Sequence, residues 1–197
     1  MIIKVDARGL ACPKPVINTK KELEKLEEGF VHVVVDNTMA RENLIKLSKS
    51  LGYEYEIMSE NDDEIHISIK KGDAIMEIQS DENNELSDTC IFISSDKMGV
   101  GDDKLGEILM KGYIYTLTET KPYPKNILLV NSAVTLSTAN EATIENLLIL
   151  EKAGVDIQSC GTCLDFYDLK DDLKVGSVTN MYNIVETMSK SPKVINL

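Results

Sequence analysis

The sequence is short of basic residues: 21 lysines and arginines stand against 33 aspartates and glutamates, for a net charge of −12. Binding to nucleic acid or to an anionic membrane surface needs a basic patch, so neither partner is expected. The chain also lacks an apolar run of the roughly 18–20 residues that span a bilayer. Its first residues lack the basic and apolar regions of a signal peptide. We therefore predict a soluble, cytoplasmic protein.

Metal ligands are scarce as well. Only two histidines occur, His32 and His66, and each lies in a strand-like run. That leaves too few ligands at the spacing of a zinc site, and we predict neither a metal nor a cofactor. The four cysteines of a cytosolic chain of this length favour reactive or buried thiols over structural disulfides.

One segment has acidic residues but no basic residue to balance them. Residues 72–88 hold six acidic residues and no basic one, and this stretch is too polar to form a core of its own. We interpret it as a linker between two domains, residues 1–71 and 89–197.

The first domain is predicted to be a two-layer α/β sandwich in the order strand, helix, strand, helix, strand, strand. Gly29 stands where a helix that begins near Pro13 should end, and Asn37 or Thr38 can cap the second helix. That second helix places four apolar residues on one face: Ala40, Leu44, Leu47 and Leu51. The predicted boundaries are strand 2–5, helix 13–28, strand 30–35, and hairpin strands 53–58 and 64–69.

The second domain is predicted to be a doubly wound, mostly parallel sheet, because strands and helices alternate along it. The predicted strands are 90–93, 126–130, 155–158 and 193–195, and the helices are 103–119, 140–153 and 179–189. In the first of these helices the residues predicted to face inward are Leu105, Ile108, Leu109 and Gly112. Ligands of such a sheet bind at the carboxyl ends of the strands.

Cys12 lies in the segment Cys12-Pro13-Lys14-Pro15 at the start of a predicted helix. Pro13 disfavours helical geometry for the residue before it, which fits Cys12 as the N-cap. The amide of Lys14 is then the nearest free donor to the sulfur. The helix dipole, Lys14 and Arg8 would all favour a thiolate of lowered pKa, which is a good nucleophile toward sulfane sulfur.

Residues 6–17, with the sequence Asp-Ala-Arg-Gly-Leu-Ala-Cys-Pro-Lys-Pro-Val-Ile, resemble the TusA/SirA family of small sulfur carriers. The resemblance covers residues 1–71. It implies that Cys12 carries a persulfide sulfur from a donor of the cysteine desulfurase type to an acceptor protein. The residues that would support Cys12 are Asp6, Arg8, Pro13, Lys14 and Pro15.

The second half resembles DsrE-like domains, which bear a sulfur-accepting cysteine and often form homo-oligomers. The fusion of the two halves resembles YedF-like sulfurtransferase-like proteins, which are linked to selenium metabolism. The resemblance therefore implies a carrier or transferase of sulfur or selenium. A redox-sensing regulator or adaptor, and a dithiol oxidoreductase that uses Cys160 and Cys163, remain as alternatives.

Cys160 and Cys163 follow the third predicted strand of the second domain. Thiols at Cys-x-x-Cys spacing are expected to lower each other's pKa and can close a disulfide. A persulfide acceptor, a dithiol redox pair and a structural turn are all open for them. We expect the loops 96–103 and 131–134 to converge on this pair, with at least one sulfur accessible. Cys90 begins an apolar strand and is predicted to be a core thiol.

Overall fold

The structure is a computed structural model that describes residues 1–61, 64–72 and 86–197. The chain divides into two compact units, Met1–Ser80 and Asp81–Leu197. Most of the predicted linker lies outside the described residues. A strand begins at Leu86, however, so residues 86–88 belong to that strand and not to a linker.

The first unit is a four-stranded sheet with two helices against one face. Its elements are β1 (Ile2–Asp6), α1 (Lys14–Lys25), β2 (Gly29–Val35), α2 (Thr38–Ser50), β3 (Glu54–Glu60) and β4 (Ile65–Lys71). The strand order is β1-β2-β4-β3, with β1 parallel to β2 and the other neighbours antiparallel. The predicted sandwich is confirmed.

The apolar residues at every second position of β2 and β4 form much of the core of this unit. The residues buried between sheet and helices are Val31, Val33, Val35, Ile65, Ile67 and Ile69. Asn37 caps α2, because its side-chain oxygen accepts the Ala40 N–H at 2.8 Å. The helix buries Ala40 and Leu44 as its apolar periodicity predicts.

The second unit is a five-stranded parallel sheet in the order β8-β7-β6-β5-β9. Its strands are β5 (Leu86–Ile93), β6 (Tyr123–Leu129), β7 (Asp156–Cys160), β8 (Ser177–Thr179) and β9 (Lys193–Asn196). Its helices are α3 (Asp103–Thr118), α4 (Glu141–Lys152), α5 (Gly161–Phe166) and α6 (Met181–Lys190). Helices α3 and α4 pack on one face and α6 on the other, so the doubly wound architecture is confirmed.

The inward face of α3 differs from the prediction. Leu105 and Ile108 are 53% and 65% exposed, and Leu109 is also exposed, whereas Met110 and Ile114 are fully buried. The helix is apolar on two sides, so periodicity alone cannot choose between them. The buried side is the one that approaches the neighbouring loop, where a Cβ on Gly106 would make a tight 3.0 Å contact with Lys97 Cβ.

Several short elements were not predicted. They are β8, α5 and the two 3-10 helices, Asn131–Ser137 and Lys170–Asp172. Within the described ranges no helix is long and apolar enough to cross a bilayer, and no group of His, Cys, Asp and Glu side chains is arranged to hold a metal ion.

Candidate functional site

The loop between β1 and α1 carries Cys12, and hydrogen bonds fix its path. Gly9 has a φ of 71°, which favours glycine. Its N–H donates to Asp36 Oδ2 at 2.6 Å, and this bond lowers the pKa of the Asp36 carboxyl. The second Asp36 oxygen accepts the side-chain amide of Asn37 at 2.8 Å. The Cys12 loop is thereby attached to the start of α2.

Asp6 and Arg8 tie the same loop to the sheet. The guanidinium donates to both Asp6 oxygens, at 2.9 and 2.6 Å, and also to Glu64. Hydrogen bonding to Arg8 lowers the pKa of Asp6 to about 2, and the carboxylate in turn raises the pKa of Arg8. The positive charge of Arg8, which was predicted to favour a Cys12 thiolate, is therefore engaged by the carboxylates of Asp6 and Glu64.

Cys12 itself is exposed, but it is not the N-cap of α1, so that prediction is wrong. The Pro13 carbonyl accepts the first helical hydrogen bonds, from the Val16 and Ile17 amides at 3.1 and 3.2 Å. The Lys14 amide donates to Ala11 O at 3.0 Å and not to the sulfur. The Cys12–Pro13 peptide bond is cis. Cys12 therefore lies in the loop, one residue ahead of the cap.

A cavity of about 450 Å³ adjoins Cys12 between the loop and α2. Its walls include Leu10, Pro13, Val16, Met39, Ala40 and Asn43. The Asn43 side-chain amide lies 4.0 Å from Cys12 Sγ, within reach of a weak hydrogen bond to sulfur. Asn43 was not predicted as a site residue. Its place on α2, three residues after the buried Ala40, was the only signal that could have indicated it. The predicted supporting residues differ in burial: Pro15 is buried, whereas Lys14 is exposed.

A second thiol centre lies at the carboxyl end of β7. Cys160 is the last residue of β7 and the N-cap of α5, and it is only 3% exposed. It packs in an apolar cluster with Cys90, Leu128 and Ile184. Cys90 is completely buried, as predicted, and burial raises the pKa of its thiol. Cys163 is half-buried, on the first turn of α5.

Cys163 is contacted by the loop that follows β6. The Asn131 N–H donates to Cys163 Sγ at 3.1 Å, and Asn131 Oδ1 accepts the Tyr167 hydroxyl at 2.9 Å. Asp96, in the loop after β5, exchanges hydrogen bonds with the Ser132 hydroxyl at 2.8 and 3.2 Å. The two loops therefore do meet at the sheet edge that carries Cys163.

The electrostatic environment of Cys163 differs from the expectation for a Cys-x-x-Cys pair. Burial raises the pKa of the Cys163 thiol, and a hydrogen bond with Cys160 raises it further. The Asn131 N–H acts in the opposite direction and lowers it. The prediction that Cys160 would lower the pKa of Cys163 is therefore wrong.

Alkylation of Cys163 is accordingly expected to have a pH midpoint above that of a free cysteine peptide. Thiolate is the reactive form, so the rate should stay low at neutral pH and rise toward alkaline pH. Cys160→Ala removes one cause of the raised pKa and should shift the midpoint down. Iodoacetamide labelling at several pH values, with each cysteine quantified by peptide mass spectrometry, checks both points. An unchanged midpoint in Cys160→Ala would contradict the coupling.

The first unit is thus a small βαβαββ sandwich that presents an exposed thiol beside a cavity. Residues 3–71 match the family described as Sulfurtransferase TusA. A protein of Methanocaldococcus jannaschii named "Putative sulfur carrier protein" is 41% identical over 69 residues, which are 34% of this chain and 92% of that protein. Through its first unit, the chain belongs to the TusA family of sulfur carriers and sulfurtransferases.

Two solved structures resemble parts of the chain. A SirA-like protein from Desulfitobacterium hafniense is 40% identical, with a TM-score of 0.34. The match covers 36% of this chain and 99% of that protein. The ychN protein from E. coli is 16% identical, with a TM-score of 0.43. That match covers 55% of this chain and 98% of the ychN protein.

Proposed function

We propose that Cys12 carries a sulfane sulfur as a persulfide between a donor of the cysteine desulfurase type and an acceptor protein. The observation that supports this most directly is the exposed Cys12 thiol at the mouth of a cavity, in a domain of the TusA family. In the loading step the Cys12 thiolate attacks the outer sulfur of the donor persulfide. The donor leaves as a thiolate, and Cys12 holds the new S–S bond.

The walls of the cavity suit such a cargo. A persulfide sulfur is large, polarizable and a weak hydrogen-bond acceptor, so apolar walls with one amide donor match it. Asn43 supplies that donor, and Met39 and Val16 supply apolar surface. Asp6 and Arg8 hold the loop in place, and the exposed Lys14 adds a positive charge to the surface that a partner protein would meet.

Selenium would be carried by the same thiol as Cys12–S–Se⁻, since the attacking atom and the bond formed are analogous. The resemblance to proteins linked to selenium metabolism supports this extension of the cargo. Loading from selenocysteine in place of cysteine separates the two cargoes by the mass added to the chain.

Intact-mass measurement after incubation with a cysteine desulfurase and cysteine tests the proposal. We expect the mass of one sulfur atom to be added, removed by reductant, and located on the peptide that contains Cys12. A chain that gains no labile sulfur, or gains it only on other peptides, would overturn the proposal.

Asp36→Asn should slow this loading several-fold. Each Asp36 oxygen accepts from a different donor, Gly9 N–H and the Asn37 amide. A side-chain amide has a single oxygen, so one donor loses its partner and the Cys12 loop is less firmly held. Asp171→Asn, on the surface of the second unit, serves as the matched control. Initial loading rates that are equal in the two variants would show that this attachment is unimportant.

A further inference from the structure

The two cysteines at the carboxyl end of β7, Cys160 and Cys163, differ sharply in accessibility. Cys163 is half-buried and contacts the loop after β6, whereas Cys160 is 3% exposed within an apolar cluster. Cys163 nevertheless packs against the apolar cluster that contains Cys160. Two thiols at Cys-x-x-Cys spacing around a helix start can close a disulfide.

We propose that this pair reduces the sulfane sulfur of a persulfide and releases it as hydrosulfide, with Cys163 as the acceptor and Cys160 as the resolving thiol. The substrate class is a persulfide of a small thiol or of a protein. The inference rests on the proposed function in one respect: Cys12 and this pair would both receive their sulfur from a persulfide.

The reaction has two displacement steps. First, the Cys163 thiolate attacks the outer sulfur of R–S–SH, so that R–S⁻ leaves and Cys163 becomes a persulfide. Second, the Cys160 thiolate attacks Cys163 Sγ, breaks the bond to the outer sulfur and expels it as HS⁻. In sum, R–S–SH and two cysteine thiols give R–SH, H₂S and the Cys160–Cys163 disulfide. The sulfane sulfur gains two electrons, and each cysteine sulfur loses one.

Cys163 is suited to the first step because it is accessible and because a fixed donor faces its sulfur. Asn131 has a φ of 52°, a left-handed conformation that is uncommon for residues other than glycine. This conformation accompanies an Asn131 N–H that points at Cys163 Sγ, and the Tyr167 hydroxyl holds the Asn131 side chain. Strain of this kind persists when the surroundings enforce it, and it is concentrated at functional sites.

Cys160 is suited only to the second step. A thiol that is 3% exposed cannot meet a protein donor or acceptor, but Cys163 packs against the cluster in which Cys160 lies. The leaving groups also favour release of hydrosulfide over transfer of the sulfur from Cys163 to Cys160. Passing the sulfur on to Cys160 would expel the Cys163 thiolate, and burial makes this a poor leaving group because it raises the pKa of Cys163. Attack on Cys163 Sγ expels hydrosulfide, which is a weaker base than an alkyl thiolate.

A single turnover needs no further reactant, and a dithiol reductant would reopen the disulfide for the next one. The test therefore uses the full chain with Cys12→Ser, without reductant and without oxygen, and glutathione persulfide as the probe. We expect about one equivalent of hydrosulfide per chain, together with loss of two alkylatable thiols at Cys160 and Cys163. Hydrosulfide is trapped with monobromobimane, and the thiols are counted by intact mass after alkylation.

Two further variants separate the steps. Cys160→Ala in the same background should retain a persulfide on Cys163 and release hydrosulfide at least tenfold more slowly. Cys163→Ser should form neither the persulfide nor the disulfide. Alanine is chosen at position 160 because it leaves no unpaired hydroxyl in the apolar cluster, and circular dichroism verifies the fold.

Unchanged hydrosulfide release in Cys160→Ala, or a stable persulfide with no release in the parent chain, would overturn the proposal. Because Cys12 is absent from every variant in this series, such a failure leaves the carrier role of Cys12 intact. Failure of desulfurase loading at Cys12 would likewise leave this result standing.

Discussion

Cys12→Ser is expected to abolish the desulfurase-dependent labile sulfur that the native chain carries in its first unit. A serine hydroxyl remains protonated at neutral pH and is no nucleophile toward a persulfide, whereas a thiolate is the attacking species in every sulfur transfer step. The fold should survive, because Cys12 is exposed and the 4.0 Å contact of its sulfur with Asn43 is weak. The free energy of unfolding should change by about 0.5 kcal/mol at most.

Cys163→Ser is the matched control, since it makes the same substitution at the other accessible thiol. It should leave loading of the Cys12 peptide unchanged. The measurement is intact mass before and after reductant, followed by peptide mapping, with urea unfolding to compare stabilities. Full loading of Cys12→Ser would move the carrier role to the second unit and contradict the reading of the Cys12 cavity.

The core of the first unit could be predicted from the sequence because its signal is local. In β2 and β4, alternate Val and Ile residues point to the same face, and a period of two needs no knowledge of distant contacts. The capping of α2 by Asn37 is equally local, because the Ala40 N–H that donates to it lies three residues later in the chain. The alternation of strands and helices in the second unit likewise indicates a mostly parallel sheet, but it does not give the strand order.

The start of α1 and the face of α3 could not be obtained in this way. Cys12-Pro13-Lys14-Pro15 is compatible with either Cys12 or Pro13 as the cap, and the choice depends on which carbonyl accepts the first helical amides. For α3, two apolar faces compete, and the one that carries Met110 and Ile114 packs into the core. Both outcomes depend on packing between segments, which a local pattern does not contain.

The contact between Asn131 and Cys163 is even harder to predict from the sequence. The two residues are 32 positions apart, and the contact depends on a left-handed conformation at Asn131 that no neighbouring residue demands. The topology alone predicts that the loops after β5 and β6 meet β7 at one sheet edge. It does not predict which backbone amide faces the thiol.

Gly176→Ala should destabilise the second unit by about 3 kcal/mol or more. Gly176 has a φ of 80°, and a Cβ there would lie 2.4 Å from the carbonyl oxygen of Ile157 in β7. That atom belongs to the backbone, so the clash cannot be relieved by turning a side chain. The residue directly precedes β8, which pairs with β7 through Cys160 and Thr179, so the shift should loosen this edge of the sheet.

Gly112→Ala is the matched control for this substitution. A Cβ on Gly112 would meet no heavy atom within 4 Å, and alanine within a helix is favoured over glycine by about 1 kcal/mol. The two glycine-to-alanine changes should therefore shift the urea midpoint in opposite directions. In Gly176→Ala, the loosened pairing of β8 should also make the buried Cys160 more reactive toward an alkylating reagent under native conditions. Equal midpoints would contradict the expected clash at Gly176, and an unreactive Cys160 in a destabilised variant would show that β8 does not control access to the thiol pair.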